Sequence, residues 1–304
     1  MEYTLNKIIR VGTRRSALAI VQTEWVIEQL KRFHPQLKTA IVEVVTKGDR
    51  FLQTSLDKIE GKGVFVKEIE EMLLSGEIDL AVHSMKDLPT ELPDGLTIGA
   101  IPRRADPHDV LITPLNKNLN ELPAGIRVGT SSLRRKAQLL AFRPDLNIVD
   151  IRGNLDTRLR KVEKGDYDAV VLAAAGLARM GWLSRVQEYL QYEIMLPAPG
   201  QGALAIEIRA EDTSIRELMK PIHDPLTAMA VQVERHALTV MGGGCHTPFA
   251  ALCQIQNEQA AIYMFMSDPQ GQIFLREKIS GKVEEAVQMA EQLALNFKNR
   301  LKIK

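Results

Sequence analysis

Arginines stand in pairs just after two glycine-threonine turns of the sequence. Arg14 and Arg15 follow the first turn, and Arg134 and Arg135 come shortly after the second. Each turn separates a short apolar run from a helix-like segment, which places it at the carboxyl end of a strand, where parallel α/β sheets bind ligands. Guanidinium groups bind carboxylates and phosphates through paired hydrogen bonds. The grouping predicts a site for a small molecule with several acidic groups, although any single one of these arginines could equally face solvent.

Three further arginines lie near strand ends later in the chain. Arg152 and Arg158 flank a Gly-Asn turn, and Arg179 follows a run of small residues at 173–176. Helix N-termini that begin at such turns favour anions as well. The sequence contains neither a Walker loop nor the spaced glycines of a dinucleotide site. A nucleotide ligand is therefore not specifically indicated.

An internal repeat indicates how these turns are arranged in the fold. Three segments recur in the same order: 10–13 at 127–130, 33–37 at 142–146, and 76–82 at 165–171. Within each repeat, helical segments alternate with strand-like runs, which predicts parallel sheets joined by right-handed crossovers. The sequence thus predicts two similar α/β domains. A later helix, three strand-like runs and a final amphipathic helix predict a small α+β domain at the C-terminus.

The two repeats differ at one strand end, where only the first carries reactive side chains. His-Ser-Met-Lys-Asp at 83–87 aligns with Leu-Ala-Ala-Ala-Gly at 172–176. Asp87, at the carboxyl end of a predicted strand, is a candidate for proton transfer or for stabilising a cation. The simpler interpretation is a surface ion pair between Asp87 and Lys86, which is the usual one for neighbouring charges.

Cys245 follows three consecutive glycines. Glycines permit unusual backbone angles and allow another molecule to approach the thiol closely. We interpret Cys245 as a nucleophile or an attachment site. The second cysteine, Cys253, lies in an apolar run and is more simply a core residue. No two of the six histidines have a convincing ligand spacing, so no metal site is predicted.

The overall charge and hydropathy argue against several classes of protein. The net charge of +1 is low for a general nucleic-acid binder. No run approaches the roughly 20 apolar residues that a membrane span requires. The apolar run at 8–11 is too short for the core of a signal peptide. We therefore expect a cytoplasmic protein that binds neither nucleic acid nor membrane.

Several short motifs together carry a resemblance to a known family. They are Arg-Arg-Ser at 14–16, Ser-Met-Lys-Asp-Leu-Pro at 84–89, Thr-Ser-Ser-Leu-Arg-Arg at 130–135, Arg-Gly-Asn at 152–154, Ala-Ala-Gly-Leu at 174–177, Pro-Gly-Gln-Gly at 199–202 and Gly-Gly-Cys at 243–245. Any one of them is a weak signal, but in this order they are highly specific. The chain resembles the porphobilinogen deaminase (hydroxymethylbilane synthase) family from about residue 10 to residue 250.

The resemblance implies both an activity and a cofactor. Members of the family condense four porphobilinogen molecules head to tail, release ammonia at each step, and hydrolyse the product to hydroxymethylbilane. Their dipyrromethane cofactor is assembled from the same substrate and is joined by a thioether to the cysteine that matches Cys245. Asp87 matches the aspartate that is thought to handle protons and to steady a cationic intermediate.

The resemblance also implies roles for individual residues. The positions that match residues of the cofactor site are Ser84, Lys86, Asp87, Thr130, Ser132, Arg134, Arg135 and Arg158. The positions that match residues used for incoming substrate or the growing chain are Arg14, Ser16, Arg152, Arg158, Arg179 and Gln201. Each pyrrole carries two carboxylate arms, so arginines that remain cationic suit a chain whose negative charge grows as it is built.

For the fold, the resemblance implies two periplasmic-binding-protein-like α/β lobes around a cleft and a small α+β C-terminal domain. We expect domain 1 at 1–102 together with about 200–220, domain 2 at 103–199, and domain 3 at 221–304, in a monomeric protein. The segment at 46–63 lacks apolar periodicity. It is either a mobile loop over the cleft or an ordinary surface loop.

A two-lobed solute-binding protein is the alternative function. Two sister lobes around an anion site describe such receptors as well as they describe the enzyme. A receptor, however, has no evident use for Cys245 or Asp87. Because similarity of fold alone is only analogy, these two residues favour the enzyme.

Overall fold

The protein is described by a computed structural model. The described residues are 7–46, 66–242, 247–268 and 273–301. Cys245 and nearly all of the predicted loop at 46–63 fall outside them. The interpretation of that loop and the placing of Cys245 therefore stay predictions.

The chain divides into two compact units. One consists of residues 1–105 and 203–228, and the other of residues 106–202 and 229–304. Most of the expected domains 2 and 3 lies within the second of these units, so this division does not separate the two domains. The three-domain arrangement accordingly stays a prediction.

The secondary-structure elements follow the alternation that the sequence predicts. The strands are β1 Ile9–Arg14, β2 Thr39–Val44, β3 Leu80–Ser84, β4 Leu96–Ala100, β5 Asp109–Ile112, β6 Arg127–Gly129, β7 Asn147–Val149, β8 Ala169–Ala173, β9 Glu188–Tyr189, β10 Leu204–Arg209, β11 Phe249–Gln256, β12 Gln259–Ser267 and β13 Phe274–Lys282. The helices are α1 Ala17–Phe33, α2 Lys67–Leu74, α3 Leu133–Phe142, α4 Leu155–Glu163, α5 Ala174–Arg179, α6 Thr213–Met219, α7 Pro225–Val240 and α8 Ala286–Leu301.

The first unit contains a five-stranded sheet in the order β2-β1-β3-β10-β4. Its central strand β3 is covered on both faces. Leu80 and Val82 share a buried cluster with Leu30 of α1, whereas Ala81 shares another with Leu73 of α2. This two-sided burial explains why β3 is an almost continuous apolar run rather than an alternating one.

The second unit contains a sheet with the equivalent order, β7-β6-β8-β5-β9. Its central strand β8 is again apolar on both faces. Val171 packs in one cluster with Leu139 of α3, and Leu172 packs in another with Leu159 of α4. The prediction of two similar α/β units is confirmed by this shared topology.

The prediction of purely parallel sheets is wrong for two strands. β1 is parallel to β2 and β3, and β6 is parallel to β7 and β8. β10, however, is antiparallel to β3 and β4, and β5 is antiparallel to β8 and β9. A strand-helix-strand crossover makes the two strands that it joins parallel. No such crossover joins β5 or β10 to the strands beside it in the sheet, so these two strands can be antiparallel. β10 also brings the chain back into the first sheet.

The repeated segments form the same arginine–aspartate ion pair in both units. Arg10 Nη2 lies 3.0 Å from Asp79 Oδ1 and ties β1 to the start of β3. Arg127 Nη2 lies 3.0 Å from Asp168 Oδ1 and makes the corresponding tie in the second unit. In both pairs the backbone N–H of the arginine also donates to the same aspartate at 2.8 Å. These repeated arginines are thus structural and are not available to a ligand.

The C-terminal part is the predicted α+β arrangement. β11, β12 and β13 form an antiparallel sheet, and helix α8 packs on it through Phe297 and Leu293. Together with the two α/β sheets, this arrangement confirms the predicted fold class of two similar α/β sheets plus a small α+β region.

Among the described residues, no helix is long and apolar enough to cross a membrane.

Candidate active site

The candidate residues of the first unit leave the sheet at one edge. β1 and β3 are parallel neighbours, with Gly12 opposite Ala81. β1 ends at Arg14, and β3 ends at Ser84. Because the carboxyl ends of parallel neighbours meet at the same edge, the two strands bring the candidate cation and the segment that contains Asp87 to that edge.

Asp87 lies in a tight 3₁₀ turn, Met85–Asp87, that follows β3 directly. Met85 is fully buried, and its backbone N–H donates to the carbonyl of Ala203 at 3.0 Å. The Ser84 hydroxyl donates to Gln22 Oε1 at 3.1 Å. Asp87 itself is half-buried, and no described residue forms a hydrogen bond or an ion pair with its carboxylate. The turn therefore holds the carboxylate of Asp87 on an anchored segment.

Ser16 and Ser132 occupy equivalent positions as helix N-caps. The side chain of Ser16 accepts a hydrogen bond from the backbone N–H of Ala19 at the start of α1. Ser132 accepts one from the backbone N–H of Arg135 at the start of α3. N-cap hydrogen bonds satisfy backbone donors that the helix leaves unpaired. Both serines therefore have a structural role in addition to the ligand contacts expected for them.

Arg134 and Arg135 meet at one buried carboxylate. Arg134 Nη1 lies 2.6 Å from Asp109 Oδ2, and Arg135 Nη2 lies 2.7 Å from Asp109 Oδ1. The arginines are each 5% exposed and Asp109 is fully buried. Two cations thus share one anion in the interior. Because an unbalanced buried charge is unfavourable, this cluster is suited to receive a further negatively charged group.

The pKa values of this cluster follow from burial and from the unequal charges. Burial tends to raise the pKa of Asp109, but the two guanidinium groups outweigh it and hold that pKa well below its usual range. Burial lowers the pKa of Arg134 while the attraction of Asp109 raises it. The charge of Arg135 lowers the pKa of Arg134 further. The two arginines therefore repel each other, and this repulsion lowers the pKa of Arg134.

Gln201 belongs to the same cluster. Its Nε2 donates to the carbonyl of Pro107 at 2.7 Å and to Asp109 Oδ1 at 3.0 Å. Thr130 is buried as well, and its hydroxyl oxygen accepts from the backbone N–H of Ser132 at 3.2 Å. The second unit thus brings Gln201, Arg134 and Arg135 together. The substrate contact expected for Gln201 stays a prediction.

The remaining arginines of the second unit lie around two turns. Arg158 Nε donates to the carbonyl of Gly153 at 2.8 Å, which places it against the turn that contains Arg152. Gly153 has a φ of +106°, and an added Cβ would lie 2.6 Å from Thr157 Cγ2. No other residue fits this turn without strain. The turn therefore fixes where Arg152 leaves the backbone.

Arg179 is a cation in a partly buried position at the end of α5. Its Nη2 donates to the carbonyl of Gly202 at 2.7 Å. Burial lowers the pKa of its guanidinium to about 10. A desolvated cation held by a neutral carbonyl is well suited to an anionic ligand.

Sequence patterns did not single out Asp109 or a second buried group in the first unit. A ring nitrogen of His83 lies 3.0 Å from Glu207 Oε2, and both side chains are almost fully buried. Glu70 of α2 is 7% exposed, and its Oε1 has no hydrogen-bond partner among the described residues. Burial, and secondly the charge of Glu207, raise the pKa of Glu70 to about 7. The sequence signal that could have identified Asp109 is an acidic residue next to an apolar run, because such a residue is buried when the run forms a core strand.

Replacing Glu70 with glutamine should stabilise the protein progressively as the pH rises. The folded state holds the proton of Glu70 up to about pH 7, whereas the unfolded chain releases it at the ordinary pKa of a glutamate. Between these values the native state binds more protons, so the free energy of unfolding of the wild type falls as the pH increases. Relative to the wild type, Glu70→Gln should gain on the order of 3 kcal/mol between pH 4.5 and pH 8.

Urea unfolding at several pH values measures this difference. Glu24→Gln, on the exposed side of α1, is the control and should show no such trend. Glu71 is unsuitable because its charge contributes to the raised pKa of Glu70. A difference between Glu70→Gln and wild type that stays constant across this pH range would contradict the assignment of the raised pKa.

The residues at 7–46, 66–242, 247–268 and 273–301 contain no group of three or more histidine, cysteine, aspartate or glutamate side chains that could hold a metal ion. Within each unit, the cationic and hydroxyl groups described above are donors suited to carboxylates.

Comparisons with solved structures add little to the sheet topology. The periplasmic aliphatic sulphonate binding protein SsuA from Escherichia coli aligns with 97% of this chain and 88% of its own, at 14% sequence identity and a TM-score of 0.42. The fold assignment therefore rests on the strand order described above and not on this similarity.

Comparisons with families and with individual relatives are much stronger. The family model described as "Porphobilinogen deaminase, dipyromethane cofactor binding domain" matches residues 9–217, and the model of the C-terminal domain of the same enzyme matches residues 228–299. A porphobilinogen deaminase from Brevibacillus brevis is 49% identical over 287 residues, which cover 93% of each chain. The porphobilinogen deaminase of Bacillus subtilis is 51% identical over 284 residues, or 92% of this chain and 90% of its own. This chain therefore belongs to the porphobilinogen deaminase family.

Proposed function

We propose that the protein is a transferase that condenses four porphobilinogen molecules head to tail, with release of ammonia, and hydrolyses the product to hydroxymethylbilane. The observation that carries this proposal is the match of the two family models to residues 9–217 and 228–299. The same match favours the enzyme over a two-lobed solute-binding protein. A transferase also explains an uncommitted Asp87 and a cysteine among glycines, for which a receptor has no use.

The donor set fits the dipyrromethane cofactor. When bound, this group supplies the covalent primer to which the pyrrole units are added. Its carboxylate arms require cations in a water-poor site, and the excess positive charge of Arg134 and Arg135 over Asp109 meets that requirement. The residues that we propose for holding it are Ser84, Lys86, Asp87, Thr130, Ser132, Arg134, Arg135 and Arg158, with Cys245 as the point of attachment.

Asp87 is proposed as the catalytic carboxylate. Departure of ammonia from the substrate requires a proton, and positive charge develops near the pyrrole nitrogen. A carboxylate next to that nitrogen can accept its hydrogen bond, stabilise the positive charge, and return a proton afterwards. The anchored Met85–Asp87 turn supports this role because a fixed carboxylate loses little free energy to reorganisation.

Incoming substrate and the growing chain are proposed to bind through a second set of residues. These are Arg14, Ser16, Arg152, Arg158, Arg179 and Gln201. Physical support for this set comes from Arg179, whose desolvated guanidinium would be stabilised by a carboxylate partner. Arg158 is placed in both sets because it lies against the Gly153 turn beside Arg152.

Replacing Arg179 with leucine should raise KM for porphobilinogen about 10-fold, the usual effect of losing one hydrogen bond to a charged group. The melting temperature should stay unchanged or rise, because the variant no longer buries an uncompensated cation. Steady-state kinetics and thermal unfolding measure the two effects. Arg185→Leu, which removes a more exposed cation paired with Glu163, is the control. A loss of stability with unchanged KM would make Arg179 a structural residue.

The remaining expectations about partners and location are also proposals. We propose that the protein works as a monomer in the cytoplasm and binds no nucleic acid and no membrane. The support is the family resemblance together with a net charge of +1. Sedimentation of the purified protein with and without duplex DNA tests whether it is a monomer and whether it binds nucleic acid.

The stoichiometry of the reaction tests the proposed function. The purified protein is incubated with porphobilinogen, and the consumed substrate, the released ammonia and the product are measured together. We expect one ammonia per porphobilinogen and a linear product of four pyrrole units. Binding of porphobilinogen without release of ammonia would instead support the solute-binding alternative.

A further inference from the structure

The side-chain amide of Gln138 is a fully buried junction in helix α3, one turn after Arg134. Its Oε1 accepts from the backbone N–H of Leu196 at 2.9 Å and from Arg276 Nη2 at 2.8 Å. Its Nε2 donates to the carbonyl of Leu196 at 2.9 Å and lies 3.4 Å from Met195 Sδ. Both faces of the amide are therefore satisfied, and its orientation is fixed by its partners.

The carbonyl of Leu196 is shared between Gln138 and Arg134. Arg134 Nη1 donates to this oxygen at 2.6 Å and also lies 2.6 Å from Asp109 Oδ2. The backbone oxygen of Leu196 and the carboxylate of Asp109 thus set the direction of the guanidinium together. Gln138 in turn holds the N–H and the carbonyl of Leu196 at once, which restricts rotation of that peptide segment.

Arg276 of β13 holds the same segment from the C-terminal sheet. Its Nη1 donates to the carbonyl of Tyr192 at 2.6 Å, and its Nη2 donates to the carbonyl of Ile194 at 3.0 Å. The guanidinium carbon lies 5.1 Å from the centre of the Phe265 ring, within the range of a cation–π interaction. A planar fork with several donors can make all these contacts together, which a lysine could not.

We propose that Gln138 and Arg276 are positioning residues for Arg134. They hold the backbone of Leu196 so that the Arg134 guanidinium faces the carboxylate arms of the cofactor. Through Arg276, this part of the site is also connected to the C-terminal sheet. This inference rests on the proposed function, in which Arg134 binds the cofactor. Neither residue is expected to touch the cofactor or the substrate.

The rate of cofactor uptake by the full-length apo-protein tests the proposal. Protein is produced in cells that make no porphobilinogen, porphobilinogen is then added, and the covalent adduct is followed by intact mass. Gln138→Met and Arg276→Met remove the polar contacts of the junction and leave an unbranched apolar side chain at each position. Each should slow uptake about 10-fold, as expected for loss of a hydrogen bond that orients a charged group, while KM for porphobilinogen in the loaded enzyme stays within about twofold of wild type.

Arg143→Met is the matched control. Arg143 also donates to several backbone carbonyls of the second unit, those of Leu119, Asn120 and Leu122. Its network does not include Arg134, so a similar loss of thermal stability should leave the rate of uptake unchanged. Equal rates of uptake in Arg276→Met and Arg143→Met would overturn the proposal.

A milder variant keeps the test decisive if the methionine variants do not fold. Arg276→Lys keeps the positive charge but cannot make all the contacts of the guanidinium at once, so it should slow uptake about threefold, a smaller effect than loss of the whole side chain. Uptake at the wild-type rate would contradict the proposal. If the wild type itself takes up no adduct, the proposed function fails, and the positioning role fails with it. Uptake by the wild type with no difference among the variants refutes the positioning role alone.

Discussion

Replacing Cys245 with alanine should yield a folded chain that carries no covalent adduct and does not convert porphobilinogen. The thioether requires a sulfur nucleophile at this position, and the methyl group of alanine cannot form the bond. Turnover should fall by at least about 1,000-fold, since loss of the attachment removes the primer from every later step. Intact mass under denaturing conditions and the rate of ammonia release measure both effects.

Cys253 provides the control for this experiment. It lies buried in β11, where its backbone N–H donates to Glu234 Oε1 at 2.9 Å. Cys253→Ala keeps this backbone hydrogen bond and removes only the sulfur. The variant should therefore lose about 1 kcal/mol of stability at most and keep the adduct. The opposite outcome, an adduct that survives in Cys245→Ala and disappears in Cys253→Ala, would reassign the attachment site.

Replacing Asp87 with asparagine should give a protein that folds and carries the adduct but turns over slowly. The amide has the shape of the carboxylate but cannot take up the proton or balance a positive charge at a pyrrole nitrogen. General acid–base catalysis contributes about 100- to 10,000-fold, so kcat should fall within that range. Because no described residue forms an ion pair or a hydrogen bond with Asp87, the thermal stability should change little.

Asp94→Asn is the matched control for Asp87→Asn. Asp94 is an exposed carboxylate in the segment between β3 and β4, so its loss changes the local charge equally without affecting the chemistry. It should leave kcat near the wild-type value. Near-normal turnover by Asp87→Asn at full adduct loading would remove Asp87 from the mechanism.

The repeated units were predictable because their determinants are local. Gly76 and Gly165 end helices α2 and α4 with φ values of +76° and +78°, a conformation that favours glycine at a helix C-terminus. The ion pair of Arg10 with Asp79 recurs between Arg127 and Asp168, although the two partners are 69 residues apart in the first unit and 41 apart in the second. The glycine that ends a helix depends on neighbouring residues, and the Arg–Asp pair occurs in both repeats, so both patterns can be recognised in a single sequence.

The antiparallel strands and the charge balance of the site were not predictable in the same way. β10 pairs with strands more than a hundred residues earlier in the chain, and no local period specifies such a partner. The arginine cluster was expected at the second turn, but its carboxylate, Asp109, comes from a strand outside the repeat. Whether the partner of an arginine is a carboxylate of the fold depends on such distant residues, as the pairing of Arg134 with Asp109 shows.

Intact mass of the freshly purified wild type, followed by peptide mapping, tests the central claim most directly. The account predicts a chain heavier than its sequence by two porphobilinogen units less two molecules of ammonia, with the extra mass on the peptide that contains Cys245. Active protein with the unmodified polypeptide mass, or with the adduct on another peptide, would contradict it.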